Sequence, residues 1–229
     1  MNDFNVDNIK AVAFDIDGTL YRAWKLNIRM SLYFIPHCIF FLKYGLVRNI
    51  LRKSPEKLDD FVETQASYMA KKLHCSTEEA KERLDKIVYK GLRKFFKTIK
   101  PCKGSIEFIH RLKESGYKIG ILSDFPPEQK GNIWGIKDLC DAVVGAEDTG
   151  ALKPFAVPFE ALAKQLGVPA DQILFVGNSH KYDVMGSKNA GMKSAWIIGP
   201  LSNFFHRKSK VADITFCHYK ELEKLFFEK

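Results

Sequence analysis

The segment FDIDGTL, residues 14–20, places Asp15 and Asp17 two positions apart at the end of an apolar run. Side chains alternate along an extended chain, so both carboxylates point to the same side. Two carboxylates that close repel and need a cation or a shared proton. Magnesium is the natural hard partner for such oxygen ligands. Gly18 frees a backbone amide and lets the chain turn sharply, and Thr19 offers a hydroxyl and an amide to an anion. The plainer alternative is a polar strand end in which an aspartate caps a helix.

Further polar groups follow other short apolar runs. Ser123 and Asp124 follow residues 118–122, Lys153 and Pro154 lie in the loop after 142–144, and Asn178 and Asp183 follow 173–176. With 12–16 ahead of them and 195–198 and 214–216 after them, these runs are short and bounded by Gly or polar residues. That is the pattern of strands buried on both faces, as in a parallel sheet. Ligands of open α/β sheets sit at the carboxyl ends of the strands, so these groups, distant in sequence, converge on one crevice.

Helical periods lie between the runs. In residues 105–116, Ile106, Ile109, Leu112 and the stem of Lys113 form one stripe, with Gly116 as the stop. In 157–167, Phe159, Leu162, Ala163 and Leu166 do the same before Gly167. Strand and helix alternate from Gly104 onward, which predicts an α/β fold with a parallel sheet. Residues 21–99 break the alternation with no strand-like period. Residues 32–51 are aromatic and apolar, 54–73 read as a helix, and Ser76-Thr77-Glu78-Glu79 matches a capping box that opens a helix running to Phe96. This stretch reads as a helical insertion between the first two strands.

DIDGTL after an apolar strand resembles the first motif of the haloacid dehalogenase superfamily, which is dominated by phosphatases. ILSD resembles its second motif, LKP its third, and VGNSHKYDVMGSKNAGM its fourth. The resemblance covers 10–20 and 104 to about 200. It implies a Rossmann-like α/β core made of 1–20 and 100–229, flanked by helices, with 21–99 as an all-helical cap. It further implies a magnesium-dependent phosphatase in which Asp15 attacks phosphorus and Asp17 serves as general acid and base. Ser123, with Gly18 and Thr19, would bind the phosphoryl oxygens, and Lys153 would neutralise charge there. The expected metal set is Asp15, the Asp17 carbonyl, Asn178 and, directly or through water, Asp183. The family most often has an aspartate where Asn178 stands. A neutral amide oxygen still serves as a ligand, with weaker metal binding expected.

The 229 residues carry 36 Lys and Arg against 27 Asp and Glu, a formal charge of +9. The basic residues are spread along the chain, which favours a solvated basic surface or a small phosphorylated substrate over a nucleic-acid partner. Five widely spaced cysteines without a CxxC pair read as reduced thiols of a cytoplasmic protein. The most apolar stretch, 30–42, holds Pro36 and His37 and is shorter than a membrane span. It reads as the interior of the helical insertion, an apolar pocket, a homodimer face or an interfacial helix. His37 and His180 read as structural and as solvated, respectively. A phosphomutase would keep every motif. A dehalogenase would lack the acid at Asp17, and a non-catalytic anion-binding protein would have lost Asp15, Asp17 or Lys153.

Overall fold

A computed structural model describes residues 4–53, 57–205 and 209–228. Six strands form one parallel sheet: β1 (Ala11–Phe14), β2 (Lys118–Ser123), β3 (Ala142–Gly145), β4 (Ile173–Gly177), β5 (Lys193–Ile197) and β6 (Ile214–Phe216). Their order across the sheet is β3-β2-β1-β4-β5-β6. The chain builds outward from β1 on one side, then returns to β1's other edge to lay down β4. Phe14 is therefore in register with both Ile121 and Val176, and the switch point lies where β1 and β4 end. Every residue of β1 and β4 is buried, which accounts for their uninterrupted apolar runs. β1 ends two residues before the predicted 12–16, because the Asp15 amide makes the last bond to β4 and the chain turns away from Ile16 onward. The Ile16 carbonyl accepts from the Thr19 and Leu20 amides.

Among the described residues the insertion after β1 contributes four α-helices: α1 (Ala23–Leu51), α2 (Phe61–Leu73), α3 (Thr77–Leu84) and α4 (Lys90–Phe96). The predicted helix over 54–73 begins at Phe61, where the Asp60 carboxylate accepts from the Glu63 amide as an N-cap; residues 54–56 lie outside the described residues. Ser76 caps α3 as expected. The helix predicted to continue to Phe96 is interrupted by a π-turn at Asp85–Tyr89. The longest apolar element is longer than its sequence suggested. α1 has 29 residues and, by length and composition alone, suffices to cross a membrane, yet one of its faces is built into the core through Leu26, Met30, Phe40, Tyr44, Val47 and Leu51.

The rest of the chain gives α5 (Ser105–Glu114), α6 (Ala156–Leu166), α7 (Met185–Asn189), α8 (Pro200–Phe204) and α9 (Tyr219–Phe227). On α5 the predicted Ile109 and Leu112 are buried and Ile106 packs half-buried against the core, while the fully buried Phe108 joins the stripe and Lys113 lies at its open edge. Phe108 is fully buried because it packs edge-on against Phe14 of β1 and against Phe226 of α9. The stripe on α6 and its Gly167 stop match the sequence reading.

A buried polar network fastens the helical insertion to the sheet. Arg48 of α1 is ion-paired with Glu147 in the loop after β3, and both are almost fully buried. The Tyr89 hydroxyl donates to the other Glu147 oxygen at 2.7 Å, and the Gln65 amide donates to Tyr89 at 2.8 Å. Burial raises the Glu147 carboxyl above its ordinary range, with Arg48 working against that rise. Nearby, Arg52 donates to Asp124 at 2.5 Å, and the Asp124 carboxylate accepts from the Lys153 amide at 3.3 Å. Burial tends to raise the Asp124 carboxyl, but Lys153, Arg52 and Arg48 together hold it below the ordinary carboxylate range. Removing one partner of a buried pair leaves the other charge uncompensated. Arg48→Ala is therefore expected to lower unfolding stability by about 3–5 kcal/mol, measured by urea denaturation. A loss below about 1 kcal/mol, the scale of an exposed pair, would show that solvent screens this one.

Candidate active site

Polar residues stand at or just past the ends of β1, β2 and β4, at the same edge of the sheet: Asp15, Ser123 and Asn178. The Asp15 amide still donates to the Val176 carbonyl at 2.9 Å, which sets Asp15 level with the end of β4. Its Oδ1 accepts from Lys153 Nζ at 2.7 Å and its Oδ2 from the Thr19 hydroxyl at 2.8 Å. Lys153 Nζ donates equally to Asp183 Oδ1, also at 2.7 Å. Residues 138 and 30 positions from Lys153 thus meet on one ammonium group, and all three side chains are buried. Burial opposes the Lys153 charge, but Asp15, Asp183 and Asp124 outweigh it and hold the lysine protonated. For Asp15, burial pushes the carboxyl up to about 7, with Lys153 opposing and Asp183 and Asp17 adding to the rise.

Asp17 is the more open carboxylate. The Tyr21 hydroxyl donates to its Oδ1, and Lys130 Nζ lies 2.8 Å from its Oδ2. Burial, reinforced by the Asp17 charge, raises the Tyr21 hydroxyl far above its ordinary value, so it remains a donor. Lys130 also donates to Ser123 Oγ at 3.2 Å. Ser123 accepts a second bond from the Phe125 amide, which leaves its proton to donate into the crevice. Lys130 is buried between the Phe96 and Phe125 rings, 5.0 and 5.3 Å from their centroids.

Asn178 reaches the cluster from β4. Its Oδ1 accepts from the Thr19 hydroxyl at 3.3 Å, and its side chain lies directly over Gly18. Gly18 has φ +90°, and a Cβ there would collide with the Asn178 amide, so this position requires glycine on both counts. Gly177 is required by contact alone, since an added Cβ would overlap Asp183.

Two of the residues expected to meet an anion or a metal have internal partners in the structure. Thr19 is fully buried, its hydroxyl donates to Asp15, and its amide donates to the Ile16 carbonyl. Both groups expected to meet an anion are used inside the loop. Asp183 gives one oxygen to Lys153 and the other to the Ser179 amide at 2.8 Å, so it holds the lysine in place. His180 is not solvated either: its Nε2 lies 2.8 Å from Ser209 Oγ and its ring packs edge-on to Trp196.

Among the described residues, no three His, Cys, Asp or Glu side chains are arranged as a metal cage. The donors still suit a hard cation. Asp15 supplies a carboxylate, Asn178 an amide oxygen and Asp17 a backbone carbonyl, and magnesium normally keeps several of its own waters. The charge balance favours one as well. Among the described residues, the ion pairs of Asp15, Asp17 and Asp183 are with Lys153 and Lys130, and burial, with the Asp183 and Asp17 charges, raises the Asp15 carboxyl, so a cation beside it would be favoured.

Sequence reading missed Lys130, Tyr21 and the loop beyond them. Tyr21 immediately follows the motif, but nothing in its type marks it as a partner of Asp17. Lys130 lies seven residues past Ser123, at no diagnostic spacing. Beside Asp17 lies a cavity of about 350 Å³ lined by Tyr21, Phe96, Lys97, Lys130, Asn132 and Trp134. Ile133 and Trp134 both adopt positive φ, at 48° and 55°. Such strain in a β-branched and a bulky residue concentrates at functional sites. The Trp134 indole is held by the Ile99 carbonyl at 2.7 Å.

Comparison with known proteins places the chain in a family. The profile of the haloacid dehalogenase-like hydrolases matches residues 12–197. The chain is 29% identical over 202 residues to the pyrophosphatase PpaX of Halalkalibacterium halodurans, covering 82% of each. It is 26% identical to a glyceraldehyde 3-phosphate phosphatase of Methanothermobacter thermautotrophicus, covering 85% of this chain and 88% of the relative. Among solved structures, a HAD phosphatase from Thermococcus onnurineus superposes with a TM-score of 0.64 at 24% identity, covering 96% of this chain and 99% of that one. The L-2-haloacid dehalogenase of Xanthobacter autotrophicus shares the fold, with a TM-score of 0.66 at 19% identity over 96% and 99% of the two chains. The chain belongs to the haloacid dehalogenase-like hydrolases, among the phosphatases of that family.

Proposed function

We propose that this phosphatase is magnesium-dependent and hydrolyses a small phosphorylated metabolite through a phosphoryl group carried on Asp15. The observation that carries the reading is the Asp15 carboxylate, fixed by Lys153 on one oxygen and Thr19 on the other at the bottom of the crevice. A nucleophile oriented this way converts one difficult displacement into two easier ones.

In the first step an Asp15 oxygen forms a bond to phosphorus as the bond to the leaving oxygen breaks, and Asp17 delivers a proton to that oxygen. In the second, Asp17 removes a proton from water, whose oxygen attacks phosphorus. Inorganic phosphate departs and Asp15 is restored. Lys153, the Ser123 hydroxyl and the backbone amide freed by Gly18 stabilise the charge on the transferring group. Asp183 acts through Lys153 by holding the ammonium in place. A magnesium ion held by Asp15, the Asp17 carbonyl and Asn178 would add Lewis-acid charge neutralisation to the phosphoryl oxygens. In the substrate-free protein Lys130 and Tyr21 hold Asp17. An anionic substrate competes for Lys130 and releases Asp17 for proton transfer.

We assign 1–20 with 100–229 as the catalytic core and 21–99 as a cap that closes over it and excludes water. The cavity beside Asp17 suits a small leaving group that combines apolar and anionic character, since its walls pair Tyr21, Phe96 and Trp134 with Lys97 and Lys130. Relatives named for pyrophosphate and glyceraldehyde 3-phosphate support a substrate of that size. The five free cysteines suit a cytoplasmic enzyme.

Phosphate release from a panel of phosphorylated metabolites, with and without magnesium, tests the reading. Asp15→Asn is expected to lower kcat by more than about a thousandfold; equal turnover by the variant, or turnover indifferent to chelation, would sink it. Asn178→Asp restores a negative ligand and is expected to lower several-fold the magnesium concentration needed for half-maximal rate, whereas an unchanged titration removes Asn178 from the ligand set. Lys130→Met is expected to lower kcat about ten- to a hundredfold with partial recovery in Lys130→Arg. Full activity in Lys130→Met would confine that lysine to packing.

A further inference from the structure

α1 carries two apolar seams. The inward one, through Leu26, Met30, Phe40, Tyr44, Val47 and Leu51, is buried in the core. The outward one consists of Ile28, Leu32, Ile35, Ile39, Leu42 and Leu46, each between 54% and 79% exposed. Its spacing is 4-3-4-3-4 without interruption, the a/d repeat of a two-helix coiled-coil seam. A narrow a/d stripe is what a second helix packs against, whereas a helix lying on a membrane shows a broad apolar face opposite a charged one. The side of α1 opposite this seam is not a charged face but the buried inward seam.

Three further features identify the occupant. Together the six side chains present on the order of 700 Å² of apolar surface, more than the roughly 300–600 Å² of the largest patch on an ordinary monomer. That is close to the about 800 Å² per partner of a standard interface. The seam is also self-complementary. Turned about an axis at the level of His37, Ile28 meets Leu46, Leu32 meets Leu42, and Ile35 meets Ile39, as a two-fold interface requires. Finally, Ser31, Cys38 and Gly45, seven residues apart, line one flank with small groups. A glycine in a helix interior costs about 1 kcal/mol relative to alanine, yet a Cβ at Gly45 would meet nothing in this chain within 4 Å. Nothing inside the molecule calls for that glycine, and close approach of a second helix does.

We propose that this chain forms a homodimer in which the α1 helices of two copies pair antiparallel along the Ile28–Leu46 seam. The pairing is independent of the catalytic reading, since no residue of the crevice takes part.

Sedimentation equilibrium of the full chain at micromolar concentration is expected to give twice the 26.2 kDa of one copy. The double variant Ile35→Glu/Ile39→Glu is expected to give a single copy with an unchanged circular dichroism spectrum, since both side chains face outward. Gly45→Leu is expected to weaken self-association at least tenfold without altering the fold. Cys38, exposed on the flank, is expected to cross-link to its counterpart with a short bismaleimide, and Cys38→Ser to abolish the cross-link. A single-copy mass for the wild type overturns the proposal, as does a dimer that survives the double variant or the absence of a Cys38 cross-link. A wild-type monomer that pellets with phosphatidylcholine–phosphatidylglycerol vesicles also overturns it and assigns the seam to a membrane surface.

Discussion

A single buried ammonium group organises the catalytic crevice. Lys153 Nζ sits 2.7 Å from both Asp15 and Asp183, and neither carboxylate is tolerable at that depth without it. The geometry of the Asp15 carboxylate follows from this constraint. With one Asp15 oxygen on Lys153 and the other on Thr19, the carboxylate has little rotational freedom. Asp183 is in turn fixed by the Ser179 amide, and Gly177 is bare so that Asp183 fits beneath it. The loop after β4 is thus shaped around holding a lysine, with the Asp183 carboxylate accepting from Lys153 and from the Ser179 amide.

The same lysine ties the catalytic crevice to the helical insertion. Its backbone amide donates to Asp124, whose carboxylate also takes Arg52 at the end of α1. One turn earlier, Arg48 reaches Glu147. The helices over the site are therefore attached by charged side chains whose partners lie on the two loops that follow β2 and β3. Attachments of this kind are strong when formed and costly when half broken, which suits the proposed role of these helices as a cap closing in one orientation.

Two carboxylates two residues apart behave differently because their surroundings differ. Asp15 is buried, and desolvation raises it to about 7. Asp17 stands nearer solvent with a hydroxyl and a lysine on its oxygens. In the proposed mechanism, the division of labour between nucleophile and proton carrier follows from depth in the crevice and not from residue type. Lys130, which serves Asp17 and Ser123 together, is the largest omission from a motif-based reading.

Much of this molecule was legible from its residues. The central strands β1 and β4 were visible because every residue in them is buried, so neither has a polar interruption. The order of Asp15, Ser123, Lys153 and Asn178 along the chain was enough to assemble them at one edge, since a parallel sheet brings its carboxyl ends together. What the sequence could not express were contacts between residues far apart with no periodic signature: Phe108 against Phe14, Arg48 with Glu147, and Lys130 with Asp17. The burial of Thr19 and the turning of Asp183 onto Lys153 depend on the packing of one loop against another. Local sequence determines which residues are apolar, where helices start and which side chains can do chemistry, because those are properties of a residue and its near neighbours. Only the tertiary structure decides which charged groups share a partner and which apolar seam of α1 is left facing outward, because both depend on how much water each site retains once the elements have packed.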